Sequence, residues 1–257
     1  MANAKPLILI TNDDGFNSPG IEYLIRCIAK SDADIIVVAP DGPRSGQASA
    51  ISVNVPLFIK EECSIDGAKI FRVNGTPVDC VKLAMHTVLP RRPDIMLSGI
   101  NHGSNAGNCV IYSGTMGAVI EACMLGIPAI GFSLLHHSWE ADFSKCGAII
   151  DKITSAVMSR GLPEGICLNV NIPARCTPEG IKVTRAARGY WTEEYVEYKT
   201  PGGSPFYWLT GRFVNEEPDA ADTDEYWLAQ QYATVVPVRP DQSATDCIGK
   251  VRSILSD

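Results

Sequence analysis

The chain predicts an α/β protein: a doubly wound, mostly parallel sheet followed by an antiparallel, hairpin-rich C-terminal extension. Three observations carry that expectation. Short apolar runs of strand length alternate with helix-length segments from the N-terminus to about residue 171. In runs such as Asp-Ile-Ile-Val-Val-Ala at 34–39 every residue after the opening aspartate is apolar, as a strand covered on both faces requires. Beyond residue 180 the texture changes to crowded Tyr, Trp and Phe around a Pro201-Gly202-Gly203 turn.

Taken in order, residues 7–11 read as a strand, followed by a turn and a helix over 18–30. A second strand covers 34–39, and a Pro/Gly/Ser loop covers 40–50. Extended segments are expected at 51–60 and 69–73. The spacing of Val78, Val81, Leu83, Met85 and Val88 predicts a helix over 76–89. Strand 94–97, helix 113–125, strand 129–135, helix 143–158 and strand 166–171 continue the alternation. The aromatic stretch holds Tyr190, Trp191, Tyr195, Tyr198, Phe206, Tyr207, Trp208, Tyr226, Trp227 and Tyr232. A helix at 223–231, a strand at 234–238 and a last helix follow. With no internal repeat and no linker, residues 1–257 read as a single domain, its core at about 1–180 and its extension at about 181–257.

Composition narrows the function. At 46% hydrophobic and 20% charged residues the chain is far from disorder, and 257 residues can bury a core without disulfides. Its net charge of −7 argues against a nucleic-acid polymer as partner, since phosphate backbones attract clustered Lys and Arg. A small anion stays possible if something local and positive holds it. Six acidic residues (Glu216, Glu217, Asp219, Asp222, Asp224 and Glu225) fall within ten positions and are expected to be solvated or at an assembly surface. The apolar run Pro6–Ile10 is too short for a signal peptide or a membrane span, so a cytoplasmic protein with no membrane partner is expected. Cys27, Cys63, Cys80, Cys109, Cys123, Cys146, Cys167, Cys176 and Cys247 show no C-x-x-C spacing and read as reduced core residues.

Open α/β sheets collect ligands beyond the carboxyl ends of their strands. Four polar loops fall there: Asn12–Gly15, Gly42–Gly46, Ser98–Asn105 and Tyr112–Thr115. Asp13 and Asp14 are adjacent carboxylates at a strand end, which repel unless a cation or donors neutralise them. A hard divalent ion such as Mg²⁺ or Mn²⁺ suits them; so does a solvent-facing Asp14-Gly15 turn with Asp13 capping the next helix. Spacing alone leaves both readings open. Ser45 and Asn101 offer neutral oxygens, or serve as turn residues. Ser113-Gly114-Thr115 before an apolar helix is either a phosphate seat or a plain N-cap. His102 lies in the Gly/Asn loop, where it could touch substrate, and His136-His137 follow a strand towards the same rim. The P-loop, dinucleotide, zincin and serine-hydrolase motifs are absent.

Thr11-Asn12-Asp13-Asp14-Gly15, Ala39-Pro40 with Arg44-Ser45-Gly46, and Asn74-Gly75-Thr76-Pro77-Val78-Asp79-Cys80-Val81 follow one another along the chain. Ser98-Gly99-Ile100-Asn101 with Gly103, Asn105 and Gly107, then Tyr112-Ser113-Gly114-Thr115, Gly126–Ile130 and Asp222-Thr223-Asp224 complete the series. In that order they resemble the survival protein SurE family, metal-dependent phosphatases acting on nucleoside monophosphates. The resemblance implies a Rossmann-like core, a C-terminal region used in homodimer or homotetramer assembly, and one divalent ion per subunit, Mg²⁺ or Mn²⁺. It implies Asp13, Asp14, Ser45 and Asn101 as metal ligands, with Gly46, Ser113, Gly114 and Thr115 facing the phosphate. Asp14 and Asn101 would be catalytic, Asp14 orienting or deprotonating the attacking water. Glu121-Ala122 stands where many members have Glu-Gly, and Gln47–Ala50 departs from the pattern after Ser45-Gly46; neither touches the ligands. Two other classes use similar loops: a nucleotide-binding regulatory protein that does not cleave, and a metal-dependent nucleotide-sugar transferase.

Overall fold

The computed structural model describes residues 5–175 and 177–256. Its strands are β1 (Leu7–Thr11), β2 (Asp34–Pro40), β3 (Ile59–Ile65), β4 (Ala68–Val73), β5 (Ile95–His102), β6 (Ala129–Leu134), β7 (Cys167–Ile172) and β8 (Ile181–Val183). After them come β9 (Gly189–Thr192), β10 (Tyr195–Lys199), β11 (Pro205–Leu209), β12 (Arg212–Asn215) and β13 (Ala233–Val238). The helices are α1 (Pro19–Ile28), α2 (Pro77–Leu83), α3 (Gly114–Met124), α4 (Gly147–Arg160), α5 (Asp224–Ala229) and α6 (Ile248–Leu255).

Nine strands form one sheet in the order β3-β4-β2-β1-β5-β6-β7-β13-β8. From β4 to β7 all neighbours are parallel; β3 and β13 run antiparallel to β4 and β7. This is the doubly wound α/β architecture the apolar runs predict. Alternate residues of a strand face opposite sides. Ile8 and Ile10 therefore pack with α1 and α4, whereas Leu7 and Leu9 pack with α2 and α3. The local signals explain the helix starts. Ser18 caps α1 with Pro19 at its first position, a hydroxyl cap of the kind that contributes about 1 kcal/mol. Thr76 and Asp79 form a reciprocal capping box on α2.

Several expectations need correction. Residues 51–58 are not a strand: Val53 and Val55 are exposed, and pairing starts only at Ile59, after Pro56 has removed a backbone donor. The helix expected to run to residue 89 is regular only to Leu83, then widens into a π turn at Ala84–Val88 ahead of Pro90. β5 continues to His102 rather than ending at 97, so half of the expected loop is strand. Not all cysteines are core residues, because Cys63 and Cys247 are exposed, although none of the described ones is paired. Cys176 lies outside the described residues.

The part after residue 180 also contributes to the central sheet, through β8 and β13. What leaves it is a long two-stranded excursion, β9 against β12 and β10 against β11, closed by a turn at Pro201–Gly203 as the sequence suggests. The acidic segment is not simply solvated. Arg185 is gripped by Glu217 (2.8 and 3.0 Å) and by Asp222 (2.7 and 3.0 Å), and Asp224 is fully buried. The Arg185 hydrogen bonds hold the Glu217 carboxyl down at about 2.

Candidate active site

The strand order reverses direction around β1, which pairs with β2 on one side and β5 on the other. Loops leaving these strands diverge there and open a crevice. All four sequence-predicted loops border it.

The turn after β1 is held from within. Buried Asn12 donates to Gly15 O (2.9 Å) and Ser18 Oγ (2.8 Å) and accepts from the Gly15 N–H. Gly15 has φ +105°, which a side chain would strain. Since Ser18 caps α1, the alternative in which Asp13 caps that helix is not the one that forms. Instead Asp13 and Asp14, only 3% and 8% exposed, are buried side by side.

Asp13 accepts the Thr115 hydroxyl (2.5 Å) and a backbone hydrogen bond from the same residue. A side-chain carbon on Gly114 would come within 2.8 Å of Asp13 Cβ, so glycine there lets the N-terminus of α3 close over the carboxylate. That helix end is electropositive and favours the charge. Burial nevertheless dominates: it raises the Asp13 carboxyl to about 7, with the charge of Asp14 adding to it. Asp14 Oδ2 accepts the His102 N–H (3.2 Å) and pairs with His102 Nδ1 (2.8 Å). Among the described residues no Lys or Arg side chain forms an ion pair with either aspartate. A buried acidic pair that no Lys or Arg neutralises suits a cation.

The loop after β2 is sewn to this centre. The Arg44 N–H donates to Asp13 O (2.7 Å) and the Ala48 N–H to Tyr112 O (3.2 Å). On the other side, a side-chain carbon on Gly117 would lie 2.2 Å from Ala48 O. Ser45 and Gly46, between these anchors, are exposed at the rim. The Arg44 guanidinium bonds Gly75 O, Asn74 O and Asp41, bracing the loop rather than standing free for an anion. Asn101, near the end of β5, commits its amide nitrogen to Gly103 O (2.9 Å), which leaves Oδ1 available as an acceptor.

Two carboxylates, a hydroxyl and an amide oxygen make a hard oxygen set of the kind Mg²⁺ and Mn²⁺ take. Among the described residues there is no cluster of three or more His, Cys, Asp and Glu that could hold a metal ion, so an ion here would also need neutral oxygens, from the protein or from water. The predicted phosphate seat is partly occupied by protein. The Thr115 hydroxyl already donates to Asp13, and Ser113 Oγ caps α3 by accepting from the Met116 N–H, keeping its own proton to donate.

Sequence reasoning missed what lies behind the site. Asn105 donates to Ser133 Oγ and takes Asn171 and Asn169 as partners, a buried amide network joining β6 and β7 to the loop after β5. The Gly107 N–H donates to buried Asp224 (2.8 Å). The alternating asparagines in Leu-Asn-Val-Asn-Ile at 168–172, polar within an apolar strand, were the available signal.

Comparison with known proteins identifies the family. The family model described as "Survival protein SurE" matches residues 8–193. The 5'-nucleotidase SurE of Phocaeicola vulgatus is 45% identical over 253 residues, covering 98% of either chain. That of Christiangramia forsetii is 49% identical over 249 residues, covering 95% of either chain. The crystal structure of a SurE protein from Aquifex aeolicus superimposes with TM-score 0.84 at 34% identity, covering 98% of this chain and all of that one. With its motifs, sheet order and relatives in accord, the chain belongs to the SurE family.

Proposed function

We propose that the chain is a 5'-nucleotidase that hydrolyses nucleoside monophosphates to nucleoside and inorganic phosphate, with one divalent ion, Mg²⁺ or Mn²⁺, per subunit. The observation that carries this reading is the buried Asp13–Asp14 pair, which no Lys or Arg neutralises among the described residues and which has His102 alone beside Asp14, at the carboxyl end of β1. The names of the full-length relatives support the substrate class.

Asp13, Asp14, Ser45 and Asn101 are the residues that would hold the ion. When bound, such an ion polarises a phosphoryl oxygen and lowers the pKa of a nearby water. Asp14, oriented by two hydrogen bonds from His102, takes the proton of the attacking water. The Oδ1 that Asn101 leaves free would serve the ion, and the second N–H of the same amide is the group that can meet a phosphate oxygen. Donors at Gly46, Ser113 and Gly114 meet charge developing on the phosphoryl oxygens. Thr115 acts through Asp13, fixing its carboxylate. The water oxygen bonds to phosphorus, the ester P–O bond breaks, and the proton Asp14 has taken returns to the leaving oxygen, directly or through solvent, so that the nucleoside leaves as an alcohol.

Phosphate release from AMP, GMP, CMP and UMP tests this directly. Release is expected to stop after chelation and to return with added Mn²⁺ or Mg²⁺. Binding without release would favour the regulatory reading, and release that survives thorough chelation would remove the metal.

We also propose a homodimer or homotetramer. Tyr195, Tyr207, Trp208 and Leu209 on the excursion are 61–66% exposed, and aromatic side chains are enriched where subunits meet. Light scattering should report a multiple of 27.7 kDa. A monomer at micromolar concentration would contradict it, and Trp208→Glu is expected to lower the mass. The unpaired cysteines support a reducing, cytoplasmic setting.

A further inference from the structure

β6 delivers the chain to a short excursion, residues 135–142, ahead of α4. Both of its ends are fixed. His137 lies over Gly103, where a side-chain carbon would come within 2.5 Å of the imidazole, and Phe143 is buried. Between them the Glu140 N–H donates to Ser138 Oγ and the Ala141 N–H to Ser138 O (both 3.1 Å), closing a turn around Trp139.

The Trp139 indole lies nearly parallel to the His102 imidazole, with ring centroids 5.3 Å apart and 8° between the planes. Phe143 meets the same imidazole edge-on at 5.1 Å. That imidazole is held by its edge to Asp14 Oδ2 (2.8 Å). One imidazole therefore separates an acidic pair suited to an ion and its phosphate from a large aromatic ring. The ring is seated on one side, yet the residue is still 50% exposed. An aromatic surface already immobilised by stacking loses little freedom when a second flat ring lands on it.

We propose that Trp139, backed by His102, is the platform on which the substrate's nucleobase stacks. This rests on the reading of the crevice as a nucleoside monophosphate site. With the phosphate at Asp13 and Asp14, the ribose carries the base away from the carboxylates, and the half-exposed indole offers a flat apolar face beside them. Stacking of this kind tolerates any base, because every base has a π face. Purines, with the larger ring system, gain more from it than pyrimidines. Tyr112 is the competing rim aromatic, 59% exposed just before α3. No ring contact seats it among the described residues, so it begins less ordered than Trp139.

The test compares wild type, Trp139→Ala, Trp139→Phe and Tyr112→Ala on AMP, GMP, CMP, UMP and ribose 5-phosphate, a monoester without a base. In Trp139→Ala the ratio of kcat/KM for AMP to that for ribose 5-phosphate is expected to fall about five- to a hundredfold, through KM rather than kcat. The fall is larger for GMP and AMP than for CMP and UMP, and Trp139→Phe restores most of it. An equal loss on ribose 5-phosphate, an unchanged ratio, or a loss confined to Tyr112→Ala would overturn the platform. If wild type releases phosphate from no nucleotide, the hydrolase reading fails, and equilibrium dialysis with AMP decides the rest. Binding lost in Trp139→Ala sustains the platform; equal binding by both proteins, or none by wild type, overturns it.

Discussion

Asp14→Asn is expected to cut phosphate release from nucleoside monophosphates by about 10³-fold or more while the protein stays folded. The amide has the shape of the carboxylate but neither its charge nor its basicity. His102 presents its backbone N–H, at 3.2 Å, and its Nδ1, at 2.8 Å, to a single oxygen of Asp14. If the amide oxygen of the variant keeps those partners, the NH₂ group replaces the oxygen meant for the ion and the water. A donor facing a cation repels it, so metal affinity and proton acceptance fall together. Stability should move the other way. Without metal, the substitution removes one of two carboxylates that repel each other in a buried place. The variant is therefore expected to melt no lower than the metal-free wild type and to lose the rise in melting temperature that Mn²⁺ gives. Turnover within tenfold of wild type would take Asp14 out of the chemistry, and an intact metal-induced rise would take it out of the ligand set.

The largest expected stability effect is at Asp224. It is fully buried, and its two oxygens accept from the buried Gly107 N–H and Ala187 N–H, each at 2.8 Å, with Oδ1 also taking the part-buried Glu225 N–H at 2.9 Å. Alanine would leave two buried donors unpaired and a small void. At about 1–3 kcal/mol per orphaned donor, the loss is about 2–6 kcal/mol. For a chain of this size that lowers the melting temperature by roughly 4–24 °C. Asparagine keeps one acceptor oxygen and should fall between. Because Gly107 lies just beyond the loop that carries Asn101, activity should drop in both variants, though far less than in Asp14→Asn. A calorimetric shift below 2 °C in Asp224→Ala would show that the carboxylate is dispensable.

The contrast between these two aspartates shows what the amino-acid order makes legible. Asp14 announces itself, since two adjacent acids at the end of an apolar strand need neutralising wherever the chain goes next. The strand–helix frame is legible for a related reason: β1, β2, α1 and α3 carry their apolar runs and caps within a few residues. Asp224 sits among five other acids; the Asp222-Thr223-Asp224 motif marks its place in the series, but its burial shows only through contacts with Gly107 and Ala187, far away in sequence. His102 is similar. Its position in a glycine-rich segment suggested substrate contact, but its edge goes to Asp14, because β5 extends further than its apolar residues imply. The alternation at Ile51, Val53 and Val55 misleads for the opposite reason. The pattern of a strand is present, but no partner strand comes alongside, and the side chains stay exposed.

The placement of β13 has a consequence for synthesis. β7 is complete at Ile172, yet the strand that covers its open edge begins only at Ala233, after the sixty residues from 173 to 232. At about 5–20 residues per second a ribosome needs roughly 3–12 s to make that stretch. Throughout this interval the nascent sheet presents the unpaired outer edge of β7, from Cys167 to Asn171. The aromatic ribs of the β10–β11 excursion emerge during the same interval. An open apolar edge beside exposed Tyr and Trp invites pairing with a neighbouring nascent chain. The vulnerable species is thus the nascent chain that has completed β7 but not yet β13, and chains arrested between residues 173 and 232 are the ones that should engage chaperones most strongly.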